Sequence, residues 1–195
     1  MSEKENMPRG QPSALDDILE QRIARARGKR DWRKFIVQTL CMMLAVFLLL
    51  ELVISIGVVH GDSMEPNVHD GDVCLCWRLS KKYRYGDVVF FKSKGAGEIL
   101  VKRVIAGPGD TIEINGYGQV IVNDVILHEA FIYSETYAYV GGLEYPLTLG
   151  ENEYFCMGDN RQNSLDSRLR QVGIVNKRDI IGKILLITGV RTENM

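Results

Sequence analysis

Apolar side chains crowd into one stretch of this chain. From Phe35 it reads FIVQTLCMMLAVFLLL to Leu50 and, after Glu51, LVISIGVV to Val59: 25 residues with one carboxylate and one amide among apolar or small side chains. At about 1.5 Å per residue a helix of that length reaches ~37 Å, enough to cross a ~30 Å hydrocarbon core with some tilt. Further on the pattern shortens to period two. GDVCLCWRL, GDVVFFK, EILVKRVIAG, TIEINGYGQVIVNDVIL, EYFCMGD and DIIGKILLITGV are runs rich in β-branched and aromatic residues, separated by Gly, Pro, Asn and Asp. They predict strands, with a hairpin around Asn115-Gly116. No long 3.6-residue period appears outside the apolar run. The fold class expected is mainly β: one N-terminal transmembrane helix followed by an all-β domain.

Composition adds little to this, because 46% apolar and 25% charged residues would suit a soluble protein. Charge adds more. The net charge of -1 argues against a nucleic-acid partner. Locally, residues 21–34 carry Arg22, Arg25, Arg27, Lys29, Arg30, Arg33 and Lys34 against the single Asp31, whereas residues 60–72 hold no Lys or Arg. Positive charge marks the cytoplasmic side, so the chain is expected in the cell membrane as a single-pass protein, N-terminus cytoplasmic. A cleaved signal peptide would have a shorter apolar region and a small-x-small end, both missing here. The expected division is a basic cytosolic segment at 1–34, an uncleaved signal anchor at 35–59 and an extracytoplasmic β domain at 60–195. Ahead of the anchor, Ser13 is placed to cap a short amphipathic helix carrying Leu15, Ile18, Leu19 and Ile23, and the first dozen residues read as disordered.

Cysteine and histidine point away from metal chemistry. Cys41 lies in the apolar run, Cys74 and Cys76 share one face of a strand, and Cys156 stands alone. With His60, His69 and His128 in no ligand spacing, neither a metal nor a cofactor is expected. Buried small side chains are the reading, with a disulfide through Cys156 left open.

Three segments hold reactive groups. Ser63 sits in Gly61-Asp62-Ser63-Met64-Glu65-Pro66, a Gly/Pro turn in which a serine is ordinarily a turn residue. Lys102 shares a strand face with Leu100 and Val104, and Arg103 the opposite face with Val101 and Ile105, so one cation lies among apolar neighbours. Periodicity does not say which one. A buried lysine loses its proton and becomes a usable base. Residues 158–168, GDNRQNSLDSR, would ordinarily be a solvated loop.

Taken together and in order, SMEPN, GDVVFF, KRVIAGPGD and GDNRQNSLDSR behind a membrane anchor resemble the type I signal peptidases of bacteria, serine proteases of Ser-Lys type. The resemblance implies a signal-peptidase-like catalytic domain whose core is shared with the repressor-type autoproteases. It implies Ser63 as nucleophile, Lys102 as general base and Ser164 as the hydroxyl orienting the amine. Arg103 with Asp159, and Asp166 with Arg168, become ion pairs bracing the site, and Met64 and Val101 line the pocket for the residue before the cut. Asn67 stands where the family usually has Thr, and Gly61 where some members have a hydroxyl-bearing donor. The implied reaction is removal of signal peptides from exported preproteins after a small-x-small site, at the membrane lipid, by a monomer. A membrane-tethered, non-catalytic β binding module is the alternative that anchor and strands also suit. It leaves Ser63, Lys102 and Ser164 in family order unexplained.

Overall fold

The computed structural model describes residues 14–189, which form two compact units meeting between Leu50 and Glu51. The Ser13 cap and the disorder expected of the first dozen residues lie outside the described range. The first element is a single helix, α1 (Ala14–Val53). The expected amphipathic stub is therefore no separate element, since residues 14–31 and the apolar run are one helix. Within it Trp32–Val53 is 22 residues long at a mean hydropathy of 2.4, long and apolar enough to cross a membrane.

The anchor expected to reach Val59 stops as a helix at Val53. Ile54–Val58 is strand β1, paired antiparallel with β2 (Val73–Trp77) in the register Ile54↔Trp77 to Val58↔Val73. β-Branched Ile54, Ile56 and Val58 at alternate positions suit a strand better than a helix, and β2 supplies the partner that a sequence window does not reveal. Arg78 closes the helix end. Its backbone N–H donates to Val53 O at 2.9 Å and its guanidinium to Glu51 O at 3.1 Å, satisfying carbonyls that a helix terminus leaves open.

The remaining strands are β3 (Val88–Ser93), β4 (Glu98–Ala106), β5 (Thr111–Ile114), β6 (Val120–Val122), β7 (Val125–Ile126), β8 (Leu147–Thr148), β9 (Glu153–Met157), β10 (Val175–Asn176) and β11 (Ile180–Thr188). They make a seven-stranded sheet, ordered β1-β2-β11-β3-β4-β9-β10, and a four-stranded sheet, β7-β6-β5-β8. The mainly β architecture read from the sequence is the one observed. The hairpin at Asn115 is present with a wider turn, in which Asn115 Oδ1 accepts from the N–H groups of Tyr117 and Gln119. A second hairpin follows, turning on Asn123 and Asp124 at φ 51° and 64°. Asn and Asp tolerate that left-handed pair, which two-residue hairpins require.

Alternation lets single strands serve several cores. On β9, Tyr154 and Cys156 pack into one cluster with Val89, Phe91 and Val104, while Phe155 and Met157 enter a second with Ile112 and Val120. On β3, Phe90 turns to a third, with Val59, Met64, Val68 and Ile184. A bulge between Val104 and Ala106 breaks the alternation, so that β4 contributes Val104 to the first cluster and both Ile105 and Ala106 to the second. All four cysteines are free, and Cys74, Cys76 and Cys156 are buried, so the disulfide left open for Cys156 is not formed.

Gly182 fixes how closely β11 approaches β2, because a Cβ there would collide with Trp77 O and meet Cys76 Sγ at 2.7 Å. Gly182→Val is expected to lower the stability of the full chain by more than about 2 kcal/mol, read as a fall in the thermal midpoint in detergent. Wild-type stability in that variant would mean the β2–β11 contact is looser than described.

Candidate active site

Ser63 is carried by the loop from β1 to β2, which the rest of the domain ties down at several points. Gly61, at φ +87°, turns the chain and donates its N–H to Asp70 Oδ1 at 2.8 Å. Asn67 N and Val68 N both donate to Met64 O at 3.0 Å, winding the SMEPN segment into a tight turn. From residues 158–168, Asn160 N donates to Ser63 O at 3.1 Å and Asn163 Nδ2 to Asp62 Oδ2 at 2.8 Å. Among the described residues the Ser63 N–H donates to no protein acceptor.

Lys102 comes from β4. The question that periodicity left open has an answer: Lys102 is 2% exposed, on the face of Leu100 and Val104. Arg103 faces the other way. The Lys102 amine lies 2.6 Å from Ser63 Oγ and donates to Val101 O at 2.8 Å. Burial drives its pKa from 10.5 down to about 8, against the opposing pull of the carboxylates of Asp166, Glu98 and Asp159. The amine thus has an accessible neutral form near neutral pH and lies in hydrogen-bond contact with a hydroxyl, an arrangement able to accept a proton from it.

Ser164 is close by but makes no hydrogen bond with Lys102. Its buried Oγ has no partner among the described residues. The expected Ser164–Lys102 bond is therefore not made here; the partners of the amine are Ser63 Oγ and the carbonyl of Val101. What brings Ser164 near is Gly158: a Cβ there would overlap Ser164 Oγ and Ser63 O together, so only glycine lets the two serine segments close on each other.

The two expected ion pairs are in place. Arg103 Nη2 lies 2.5 Å from Asp159 Oδ2 and its Nε donates to Oδ1 at 2.8 Å. The Phe131 ring lies 4.3 Å from its guanidinium. Asp166 takes Arg168 Nη2 at 2.8 Å and also accepts from Gly158 N at 3.2 Å. Sequence reasoning missed a third pair: Arg161, fully buried, lies 2.6 Å from Glu129 and also bonds Thr136 Oγ1 and Gly158 O. Arg161 stood in a quoted motif, but nothing local marks Glu129, 32 positions away. Asn67 bonds Asp159 Oδ2 at 2.9 Å and Phe131 O at 2.8 Å, which joins the SMEPN turn to the Arg103 pair.

Ser63 and Lys102 open into a groove of about 520 Å³. One wall is Ser55–Ser63, the other Glu98–Lys102, and Phe90, Leu165 and Ile181 close it. Gly57 passes directly over Phe90, whose Cζ would be 3.0 Å from a Cβ there. Val101 lines this groove as expected. Met64 does not: it is fully buried among Val59, Val68 and Phe90 because the SMEPN turn folds it inward.

Residues 30–188 match the family described as signal peptidase, peptidase S26. The chain is 32% identical over 161 residues to signal peptidase I P of Bacillus subtilis subsp. natto, covering 78% of this chain and 84% of that one. It is 30% identical over 173 residues to signal peptidase I of Bacillus amyloliquefaciens, covering 84% and 89%. A crystal structure of a signal peptidase I from Enterococcus faecalis V583 is 32% identical, covering 54% of this chain and 98% of that one at a TM-score of 0.45. The protein is a serine peptidase, a hydrolase with an N-terminal apolar helix fit for a membrane anchor. It belongs to the S26 signal peptidase family, which acts on the signal peptides of exported preproteins.

Burying an ionisable amine has a measurable price. The folded chain releases the Lys102 proton at lower pH than the unfolded chain does, so stability rises with pH between about 8 and 10.5. Lys102→Met is expected to stabilise the protein by about 1–3 kcal/mol at pH 7, a gain full below about pH 8 and gone above about 10.5. Melting curves of parent and variant across that range test it; a gain independent of pH would mean the amine is not held dry.

Proposed function

We propose that the protein cuts preproteins after a small-x-small site, with Ser63 as nucleophile and Lys102 as general base. The observation that carries this reading is the 2.6 Å contact between the buried Lys102 amine and Ser63 Oγ. In the neutral state the Ser63 hydroxyl donates to Lys102 Nζ. As Oγ attacks the scissile carbonyl the proton passes to Nζ, and the free N–H of Ser63 faces the developing oxyanion. Lys102 then returns the proton to the departing amine, leaving an acyl-serine. A water deprotonated by the same amine releases the cleaved signal peptide. Ser164 is proposed to reach and orient the neutral amine during these transfers, because its buried hydroxyl is unpartnered and lies beside the Ser63 segment. Arg103–Asp159 and Asp166–Arg168 act as braces.

Specificity follows from the groove. An extended peptide laid between β1 and the start of β4 points residues -1 and -3 to the same side. Val101, Val59 and Phe90 line the groove, and we take these apolar side chains to be the wall that favours small residues at -1 and -3. Met64 supports that wall from the core and does not touch substrate. The proposed topology places the N-terminus in the cytoplasm and the groove on the extracytoplasmic side, where a translocated signal peptide emerges.

Ser63→Ala and Lys102→Ala are each expected to abolish cleavage of a purified preprotein while the fold persists. Because the amine must be neutral, single-turnover kcat/KM should rise with pH through about 8, the value that burial sets. Ser164→Ala should lower the plateau more than it moves that limb. A limb near the ordinary lysine value of ~10.4, or full activity in Lys102→Ala, refutes the base assignment. Topology is tested independently: a tag at residue 1 should survive protease added to spheroplasts while the region after His60 is degraded, and the opposite pattern reverses the orientation.

A further inference from the structure

The apolar span of α1 ends at Val53, so side chains that share a cleft with its last turn lie at the level of the lipid headgroups. Leu52 of that turn walls a cleft of about 450 Å³. Three cations from three different elements line it: Arg78 just after β2, Lys92 on β3 and Arg178 on the 3-10 turn Lys177–Asp179. All three are exposed, and among the described residues none pairs with a carboxylate. Arg78 bonds only neutral oxygen, the backbone carbonyl of Glu51. The one carboxylate in the cleft, Asp179, is already taken by Lys94 at 3.0 Å. The remaining lining is apolar, from Leu79, Ile180 and Ile181.

Unpaired cations around one cleft repel each other, and an anion seated among them relieves that repulsion. Apolar walls beside the cations, at the height where the chain leaves the bilayer, suit a phosphate that carries acyl chains. We propose that this cleft binds the headgroup phosphate of an anionic phospholipid and holds the β domain down on the membrane surface. The phosphate sits among Arg78, Lys92 and Arg178, and the upper acyl carbons lie against Leu52 and Leu79. The inference goes beyond peptide cleavage and rests only on α1 crossing the membrane, not on the chemistry at Ser63.

The chain has two tryptophans, Trp32 at the far end of the span and Trp77 next to Arg78, opposite Ile54 at the exit. In full-length Trp32→Phe protein, Trp77 alone therefore reports on the exit side. The protein is placed in phosphatidylcholine nanodiscs in which a fixed fraction of the lipid is brominated near the headgroup end of its acyl chains. The brominated lipid is either phosphatidylglycerol or phosphatidylcholine. Trp77 quenching is expected to be about threefold stronger with brominated phosphatidylglycerol, because basic side chains at the membrane surface enrich anionic lipid beside them. That preference should vanish in R78Q/K92Q/R178Q and survive an excess of inorganic phosphate. Equal quenching by the two lipids, or a preference unchanged in the triple variant, overturns the proposal. Loss of the preference to free phosphate would instead make the cleft a site for soluble anions and equally overturn it. Cleavage is not measured, so failure here leaves the catalytic reading standing, and failure of that reading leaves this one.

Discussion

Taking a lysine ammonium out of water costs several kcal/mol unless the proton leaves or a counter-charge follows it in. At Lys102 the domain keeps both responses in balance. Apolar Leu100 and Val104 flank the amine along its strand and push the proton off, while Asp166 and Asp159 keep the site from becoming wholly hostile to charge. An amine with its pKa near 8 is the result, and the rest of the domain is arranged around keeping that amine dry and against Ser63. Either alone would achieve little. A dry lysine without a hydroxyl in reach has no proton to take, and a serine beside a solvated lysine meets only an ammonium.

Holding two groups from distant segments at hydrogen-bond distance requires rigidity, and the charged residues of the 158–168 segment provide it. Each buried guanidinium in the region has a carboxylate and further oxygen partners: Arg103 with Asp159 and Gly86 O, Arg161 with Glu129 and Thr136, Arg168 with Asp166 and Arg161 O. Buried pairs of this kind contribute little net stability, but losing one partner strands the other, by ~3–5 kcal/mol, so the arrangement resists local rearrangement. Gly158 sits where these constraints converge. Its missing side chain admits Ser63 O and Ser164 Oγ to the same small volume, and its N–H ties that volume to Asp166.

The membrane segment is part of the same construction. The chain passes from α1 into β1 without a linker, so the apolar run contributes both the apolar helix and one wall of the groove at Ser63. β-Branched residues beyond Val53 make this possible, since they are apolar enough to read as membrane yet suited to a strand. On the other side of the same junction, Arg78 caps the helix and lines the cationic cleft.

The linear sequence determined a good deal here, because its signals are short in range. A long apolar run and period-two strands, each a pattern within a short window, specified an anchored β domain. Ser63, Lys102, Arg103, Asp159, Asp166 and Arg168 were picked out by the resemblance that four motifs carry in order, not by composition or spacing. Whether Lys102 or Arg103 is the buried cation was undecidable on that scale: both faces of β4 carry apolar neighbours, and only the assembled chain encloses Lys102 and gives Arg103 its carboxylate, Asp159. The end of the helix at Val53, the inward fold of Met64, the pairing of Arg161 with Glu129 and the free Ser164 hydroxyl were likewise decided by partners far away in sequence. Local pattern sets which conformations a segment tolerates, but burial and hydrogen-bond partnership are properties of the assembled chain, and the value of an ionisable group as a catalyst follows from burial.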